Sequence, residues 1–267
     1  MKAEASETDR LYAGVDVGAS RTKVALLDDQ QALRGYGIQK SGVDFARTAD
    51  RCLDEALEMA HAVKSDIVHA VSTGYGRKNV RFSQGTKTEI ACHARGCFHY
   101  FPVAMTIVDI GGQDNKIIKV DEAGRRISFK MNRKCAAGTG AFLEEMAMRL
   151  DIPLEDMDGL ARQSDHMVEL GSYCTVFSGT EVLEKIRQGE QVPAIVKGLF
   201  YSVIKRVLEM DSLTDKVAMT GGVVAHNPML VTMVQEITSR EVLVPDHPQL
   251  TGAVGAALYA MEESSGR

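Results

Sequence analysis

The sequence predicts an α/β protein built of two related domains. Its predicted elements follow the order three strands, helix, strand, helix, and this order begins again after residue 104. The motif Asp-x-Gly-x-x-x-x-Lys opens both halves, as residues 16–23 and 109–116, so the two copies start 93 residues apart. Chance could produce one such match, but it explains less well why the same motif opens both halves of the sequence.

Apolar runs and helical periodicity give the individual elements. In the first half, strands are predicted at Leu11–Val17, Thr22–Asp28, 31–39 and Ile67–Ser72, and helices at Phe45–Val63 and Thr88–His99. In the second half, the predicted strands are Met105–Ile110, Lys116–Val120, Arg126–Lys130, Val217–Thr220 and Glu241–Val244. The predicted helices there are Gly140–Leu150, Glu181–Gln188, Ile195–Met210, 228–237 (opened by an Asn227-Pro228 cap) and Thr251–Met261. The first domain is therefore expected at 11–104 with the last helix, 251–262, and the second at 105–250.

Composition excludes several classes of protein. Charged residues make up 25% of the 267-residue chain and hydrophobic residues 45%, as in ordinary globular proteins. The net charge of −5 disfavours nucleic acid as a partner. The first ten residues are polar and predict no signal peptide, and no apolar run approaches the ~20 residues that cross a bilayer. We therefore expect a soluble, cytoplasmic protein with no membrane or nucleic-acid partner.

The repeated motif has the chemistry of a nucleotide site. Each copy places an Asp at the end of an apolar strand and then a tight turn in which glycine lets backbone N–H groups approach phosphate. A carboxylate is a hard oxygen ligand that suits Mg²⁺. Taken alone, each turn is more simply a plain hairpin, but the pair, together with the later Thr220-Gly221-Gly222-Val223, favours nucleotide binding.

Roles can be assigned to individual residues of this site. Asp16 and Asp109 are the candidates to hold Mg²⁺, and Gln113 or Asp114 to orient the water that attacks the γ-phosphate. Lys23 either contacts phosphate or simply faces solvent. The candidate nucleotide-binding residues are Gly18, Ala19, Ser20, Lys23, Gly111, Gly112, Gly221, Gly222 and Val223.

The chain has five cysteines, and an odd number argues against a disulfide framework. It has no C-x-x-C motif, which argues against a self-contained zinc site. Cys52, Cys92 and Cys97 are interpreted as packing residues, and His93 as a satisfied polar residue. Cys135 is predicted just before the helix at 140–150, whose N-terminus would stabilise a thiolate. Cys174 precedes Ser178-Gly179-Thr180-Glu181, which has the form of a capping box for the next helix. From spacing alone, both cysteines are more simply structural.

Several strings of residues resemble known proteins. The paired Asp-Gly hairpins and the late Thr-Gly-Gly resemble the superfamily of acetate and sugar kinases, Hsp70 chaperones and actin. Narrower markers are residues 135–140 (CAAGTG), 109–114 (DIGGQD), 174–177 (CTVF) and 73–77 (TGYGR). Together they resemble the activator ATPases of 2-hydroxyacyl-CoA dehydratases and the ATPase subunits of ATP-dependent benzoyl-CoA reductases, over about residues 12–260.

This resemblance implies a fold and a function. The fold would be two ribonuclease-H-like domains with ATP bound in an interdomain cleft. The cofactors would be ATP or ADP, Mg²⁺ and a 4Fe–4S cluster shared between two subunits, with Cys135 and Cys174 as ligands in each. Two thiolates are half of the four that such a cluster needs, so a homodimer, or a heterodimer with a related ATPase subunit, would complete the set.

The implied partners are a dehydratase or reductase that acts on a CoA thioester, with reduced ferredoxin or flavodoxin as the electron source. Two other functions remain open: a metabolite kinase of the same superfamily, and a nucleotide switch that is not an enzyme.

Overall fold

The computed structural model describes residues 10–132, 134–171 and 174–266. The chain divides into two compact units: unit 1 comprises Met1–His99 with Leu250–Arg267, and unit 2 comprises Tyr100–Gln249. These bounds differ by a few residues from the sequence-based domains at 11–104 with 251–262 and at 105–250. Arg133, Ser172 and Tyr173 lie outside the described residues.

The described residues form two five-stranded sheets and nine α-helices. The strands are β1 Leu11–Val17, β2 Arg21–Leu27, β3 Leu33–Lys40, β4 Ile67–Thr73, β5 Gly85–Thr86, β6 Met105–Ile110, β7 Asn115–Val120, β8 Arg126–Asn132, β9 Lys216–Thr220 and β10 Glu241–Leu243. The helices are α1 Phe45–Ala60, α2 Glu89–Tyr100, α3 Gly140–Leu150, α4 Met157–Ala161, α5 Thr175–Arg187, α6 Val192–Met210, α7 Gly222–His226, α8 Pro228–Thr238 and α9 Thr251–Ser264.

The two sheets have the same strand order. Unit 1 has β3-β2-β1-β4-β5, and unit 2 has β8-β7-β6-β9-β10. In each sheet the first three strands are antiparallel, and the strands that follow pair in parallel. Even the irregularity recurs, because the second and third strands shift register at the same place, Leu26/Leu27 in one sheet and Lys119/Val120 in the other. The internal repeat that the sequence predicted is therefore confirmed.

In unit 1 the central strand β1 is buried on both faces. All seven of its residues are buried. Alternate side chains such as Ala13 and Val15 pack with Leu53 and Ala56 of α1, while Tyr12 packs on the other face with Ala256 and Ala260 of α9. Burial on both faces explains why the sequence of β1 is continuously apolar rather than alternating.

In unit 2 the core lies between the sheet and a larger set of helices. Ile117 of β7 packs in one cluster with Phe142 of α3, Phe200 of α6 and Leu230 of α8. The whole segment from α3 to α6 stands between β8 and β9, where unit 1 has α1 alone between β3 and β4 apart from a single short helical turn. Cys174 lies in this insertion, and Cys135 lies between β8 and its first helix, α3.

Most predicted elements are confirmed, and β1, β6 and α3 have the predicted bounds. The predicted helix at Glu181–Gln188 was placed too late, because α5 begins at Thr175. Two short helices, α4 and α7, and the two-residue strand β5 were not predicted, since segments this short carry too little periodicity.

Within the described residues, no helix combines the length and the apolar character needed to span a bilayer.

Candidate functional site

Both copies of the repeated motif form tight hairpins between antiparallel strands. In unit 1 the amide of Gly18 donates to the carbonyl of Arg21 at 3.0 Å, which leaves Ala19 and Ser20 at the tip. In unit 2 the amide of Gly111 donates to the carbonyl of Asp114 at 2.9 Å, which leaves Gly112 and Gln113 at the tip. The tips are half-buried or exposed, so their backbone amides remain accessible to an anion.

In unit 1 the motif aspartate lies in a row of three residues across the sheet. Asp16 is in register with Lys23 on β2 and with Thr73 on β4. The Lys23 ammonium donates to Asp16 Oδ2 at 3.1 Å, and the Lys23 side chain is 18% exposed. The Thr73 hydroxyl donates to the carbonyl of Lys87 at 3.1 Å. Lys23 is therefore an ion-pair partner of Asp16 that water still reaches.

In unit 2 the three residues of the same row are bonded to one another. Asp109 is in register with Lys116 and with Thr220. Its Oδ2 accepts from the Lys116 ammonium at 3.0 Å, and its Oδ1 accepts from the Thr220 hydroxyl at 2.9 Å. Lys116 is only 2% exposed and also donates to Asp114 Oδ1 at 2.8 Å. One buried cation thus orients two carboxylates.

A glycine in the left-handed region follows the threonine of each row. Gly74 has φ +86° and Gly221 has φ +100°, a conformation that other residues rarely adopt. A side chain on Gly74 would meet Asp16 Oδ1, and one on Gly221 would meet the carbonyl of Ile110. The Thr-Gly pairs at the ends of β4 and β9 are thus part of the repeat, which the sequence comparison of residues 16–23 with 109–116 did not include.

The two candidates for orienting water differ in their surroundings. Gln113 is exposed at the tip of its hairpin, whereas the Asp114 carboxylate is bonded to Lys116. Because Asp114 is held by the buried lysine, Gln113 is the freer of the two to contact a bound phosphate or water.

The third glycine segment lies at the start of α7, after β9. The Gly221 amide donates to the carbonyl of Pro248 at 2.9 Å, and Gly222 is half-buried, where a side chain would make an ordinary contact with Gln249. The side chain of Val223 is buried in the core of unit 2, so only its backbone is available to a nucleotide. Asn227 does precede Pro228 as predicted, but its side chain donates to the carbonyl of Val223 rather than capping α8.

Three of the five cysteines are core residues, as their interpretation as packing residues requires. Cys52, Cys92 and Cys97 are fully buried. Burial raises the pKa of Cys52 to about 12 and the pKa of Cys92 to about 12, so both remain protonated thiols at neutral pH. His93 is also buried, and its Nδ1 lies 3.2 Å from the Thr251 hydroxyl, which fits the satisfied polar residue expected there.

Among the described residues, Cys135 and Cys174 form no disulfide and lie outside the core, half-buried and exposed respectively. Cys135 precedes α3 as predicted, four residues before the N-cap Thr139. Cys174 differs from the prediction, because it is itself the N-cap of α5. The amide of Ser178 donates to the carbonyl of Cys174 at 2.8 Å, as in a continuous helix, so the predicted capping box at Ser178–Glu181 is wrong.

The reason for the early start of α5 is visible in its packing. Ser178 and Gly179 are small and buried, and the Arg149 guanidinium of α3 lies directly over Gly179. Glu181 does bond a backbone amide, but it is that of Gly171, at 2.6 Å. The helices that follow the two cysteines therefore pack against each other, and both cysteines belong to unit 2.

The donor set fits half of an iron–sulfur cluster. Thiolates are the ligands of such clusters, and four are required. Among the described residues the chain offers two thiols outside the core, and no group of three or more His, Cys, Asp or Glu side chains is arranged to hold a metal ion. A cluster bound by Cys135 and Cys174 would thus need two more ligands from outside this chain.

The sequence did not predict the contacts of four residues next to the site. Thr73 and Thr220 belong to the motifs at 73–77 and 220–223, but their positions beside Asp16 and Asp109 follow only from the pairing register. Asn115 and Asn132, which bond the segment around Cys135, lie just outside the predicted strands and were assigned no role. Extending the repeat across β4 and β9 would have found the threonines, but no pattern in the sequence predicts the asparagine contacts.

Comparison with known proteins identifies relatives that are similar to this chain in sequence and in fold. The activator of lactoyl-CoA dehydratase from Anaerotignum propionicum is 40% identical over 252 residues, which cover 93% of this chain and 96% of the activator. The crystal structure of (R)-2-hydroxyglutaryl-CoA dehydratase component A from Acidaminococcus fermentans matches with a TM-score of 0.90 and 35% identity, covering 96% of this chain and 99% of that one.

A second solved structure was determined with a nucleotide. It is the activator of the 2-hydroxyisocaproyl-CoA dehydratase from Clostridium difficile with bound ADPNP, at a TM-score of 0.89 and 36% identity, covering 96% of both chains. The model of the BadF/BadG/BcrA/BcrD ATPase family matches residues 13–260. Since this match spans nearly the whole sequence, the chain belongs to the BadF/BadG/BcrA/BcrD ATPase family.

Proposed function

We propose that this protein hydrolyses ATP to drive low-potential electrons into an enzyme that acts on a CoA thioester, a 2-hydroxyacyl-CoA dehydratase in the first instance. Family membership and the dehydratase activators among its relatives support this assignment. The observation that carries it is the bonding of the Cys135 segment to the second Asp-Gly hairpin, because Gly140 and Ala141 donate to the carbonyls of Gly111 and Gly112 at 2.9 and 2.7 Å.

The hairpins supply the groups that nucleotide hydrolysis needs. Backbone amides at the tips bind phosphate oxygens, and Asp16 and Asp109 hold Mg²⁺ directly or through its waters. Gln113 orients the attacking water, since Asp114 is already bonded to Lys116. ATP and water give ADP and phosphate, and positioning with charge stabilisation accounts for the acceleration without a covalent nucleophile.

Cys135 and Cys174 provide two thiolates, and the same pair from a second subunit completes a 4Fe–4S site on a twofold axis. The second subunit is another copy of this chain or a related ATPase subunit. When bound, the cluster supplies a one-electron carrier. The protein's part is to hold it outside the core, at an exposed and a half-buried thiol, where a partner enzyme can approach.

Reduced ferredoxin or flavodoxin is the electron source in this proposal, and the dehydratase is the acceptor. Each electron leaves the ferredoxin or flavodoxin, which is oxidised, and enters the dehydratase, which is reduced. A benzoyl-CoA reductase is the alternative acceptor that the family allows.

The test is an anaerobic assay of the purified protein with a reductant, ATP, Mg²⁺ and a separately purified dehydratase. We expect dehydration of a 2-hydroxyacyl-CoA only when ATP, reductant and this protein are all present, and release of phosphate in step with it. Replacing the dehydratase by a benzoyl-CoA reductase lacking its own ATPase subunits identifies the alternative acceptor.

A matched pair of variants separates the proposal from a kinase. Cys135→Ser should abolish activation of the dehydratase, whereas Cys52→Ala, which changes a buried thiol, should retain it. Activation that survives Cys135→Ser, or phosphorylation of a sugar or carboxylate at a rate equal to ATP consumption, would overturn the proposal.

A further inference from the structure

Two asparagines stand side by side on neighbouring strands of unit 2. Asn115 is the first residue of β7 and Asn132 the last of β8, and the two are directly opposite each other in the antiparallel pairing. Residues opposite each other project to the same face of a sheet. Asn115 is fully buried and Asn132 is half-buried.

Each asparagine bonds one end of the segment that contains Cys135. The Asn132 amide donates to the carbonyl of Cys135 itself at 3.0 Å. The Asn115 amide donates to the carbonyl of Gly138 at 2.6 Å. Gly138 has φ +79°, and a side chain there would meet the stem of Arg206 and the Asn115 amide, so the segment fits closely over this pair.

Asn115 directly follows the nucleotide hairpin at 111–114. It follows Asp114 and precedes Lys116, the two residues of the ion-pair network around Asp109. The other side of the Cys135 segment bonds the same hairpin, through the amides of Gly140 and Ala141. A change in the backbone of 111–114 therefore reaches residues 135–138 by two routes, one through Asn115 and one through the first turn of α3.

Two buried polar atoms lie close to Gly138. Among the described residues, Asn115 Oδ1 and Arg206 Nε have no hydrogen-bond partner. One is an acceptor, the other a donor, and both residues lie beside Gly138. Because unsatisfied buried polar groups are unfavourable, a movement of this segment that brought the two atoms together would be stabilised by the new hydrogen bond.

We propose that Asn115 and Asn132 are positioning residues that transmit the state of the nucleotide at hairpin 111–114 to Cys135. The inference rests on the proposed function, since it takes the hairpin as a phosphate site. The asparagines touch neither nucleotide nor iron in this account. They set the position of the Cys135 backbone, and therefore the accessibility of its thiol, according to what the hairpin binds.

The experiment uses the full chain without iron, so that its readout does not depend on a cluster. The rate at which iodoacetamide alkylates Cys135 is measured by peptide mass spectrometry, with no nucleotide and with ADPNP and Mg²⁺. Cys174 on the same protein serves as the internal reference. For the wild type we expect the alkylation rate of Cys135 with ADPNP and Mg²⁺ to differ about fivefold from its rate without nucleotide. This is at the lower end of ordinary coupling between sites.

Asn132→Ala is the main variant, because its site is half-buried and at the end of an edge strand. We expect the nucleotide to change the rate at Cys135 by less than about 1.5-fold, while the affinity for ADPNP stays within about twofold of the wild type. Asn115→Ser, whose side chain is too short to reach Gly138, should behave in the same way and provides a second variant if the first unfolds.

Gln39→Ala is the matched control. Gln39 is opposite Thr22 in unit 1 as Asn132 is opposite Asn115 in unit 2, but its side chain contacts Glu55 of α1. It should leave the nucleotide response at Cys135 unchanged.

The outcomes distinguish this inference from the function on which it rests. If calorimetry detects no binding of ADPNP to the wild type, the proposed function and this inference both fail. If ADPNP binds but leaves the rate at Cys135 unchanged, or if both asparagine variants keep the wild-type response, the inference alone is overturned.

Discussion

In unit 1 the Asp16 carboxylate is bonded to Lys23, which is 18% exposed, and the nearby threonine donates to a backbone carbonyl. In unit 2 the Asp109 carboxylate is bonded to both Lys116 and Thr220, and Lys116 is 2% exposed. The backbone around the two aspartates is the same, with the same strand order and the same Asp–Lys and Asp–Thr register. The two copies therefore differ in how deeply the lysine is buried and in whether the threonine hydroxyl donates to a backbone carbonyl or to the aspartate.

The two hairpins also differ in what they bond. In unit 1 the hairpin bonds Ser41, whose hydroxyl donates to the carbonyl of Gly18 at 2.6 Å and whose amide donates to the carbonyl of Ser20 at 3.0 Å. Ser41 leads into α1. In unit 2 the hairpin bonds the first turn of α3 and the segment of Cys135. Among the described residues, the two hairpins thus differ in that the second bonds the segment that contains Cys135.

The largest expected effect of this difference is on stability. Lys116→Met removes the cation from two carboxylates in a buried site and should lower the free energy of unfolding by about 3–5 kcal/mol. Lys23→Met should lower it by only about 2 kcal/mol, because it removes a charged hydrogen bond that water partly replaces. Denaturant unfolding of both variants measures the two losses, and equal losses would contradict the comparison.

Hydrolysis should depend on both copies despite this asymmetry. Asp16→Asn and Asp109→Asn should each lower kcat for ATP hydrolysis by about 100-fold, since in the proposed function each would remove a charged ligand of Mg²⁺. Steady-state release of phosphate measures the effect. Loss of activity in one variant alone would assign the metal to one hairpin.

The loops after the third strands offer a matched pair of glycines. Gly138 has φ +79° and faces the stem of Arg206, whereas Gly42 has φ +59° with nothing near it. Gly42→Ala should cost about 1 kcal/mol of stability for the left-handed backbone. Gly138→Ala should cost about 2–3 kcal/mol, because the added methyl group must also displace its neighbours. Thermal unfolding of the two variants should show the larger shift for Gly138→Ala, and the reverse order would mean that the Cys135 segment is loosely packed.

The smallest effect concerns a contact between β4, Lys87 and α9 in unit 1. Glu263 bonds Lys87 at 2.8 Å and His69 at 3.2 Å, and the hydrogen bond from Lys87, followed by that from His69, holds the pKa of Glu263 below its usual 4.5. The same bond raises the pKa of Lys87 above its usual 10.5. The contact should therefore stabilise the protein at pH values between the lowered pKa of Glu263 and the raised pKa of Lys87. Its contribution should fade as the pH falls through the lowered pKa of Glu263, or rises through the raised pKa of Lys87.

Because both side chains are about one-third exposed, the contribution should stay below about 1 kcal/mol. Comparing the unfolding free energy of the wild type and Glu263→Gln from pH 3 to pH 7 measures it. A difference that does not grow as the pH rises through the acid range would show that the ion pair is not formed.

The sequence predicts the fold well because its strongest signals are long apolar strands and a repeated motif. The bounds of β1, β6 and α3 follow from hydrophobic runs and from glycine or proline punctuation. The start of α5 was misplaced because Ser178 and Glu181 match a capping box locally, whereas tertiary packing of Gly179 under Arg149 carries the helix back to Thr175. Local capping signals were outweighed by contacts between elements distant in sequence.

The candidate site was predictable in part. The aspartates and the glycine turns follow from the motif, but the difference between Lys23 and Lys116 does not, since both occupy the same position of the repeat. Their burial depends on the helices that cover each sheet, which differ between the units. Asn115 and Asn132 were beyond prediction for a similar reason, because their partners are backbone carbonyls of an irregular loop.

In the proposed function, Cys135 and Cys174 of two chains hold one cluster, and the iron content of anaerobically reconstituted protein measures this. We expect about two irons per chain in a dimer, from four irons shared by two chains. That iron should be lost in Cys135→Ser and in Cys174→Ser, and fully retained in Cys52→Ala. Iron that survives both serine substitutions, or a wild-type protein that hydrolyses ATP but binds no iron, would contradict it.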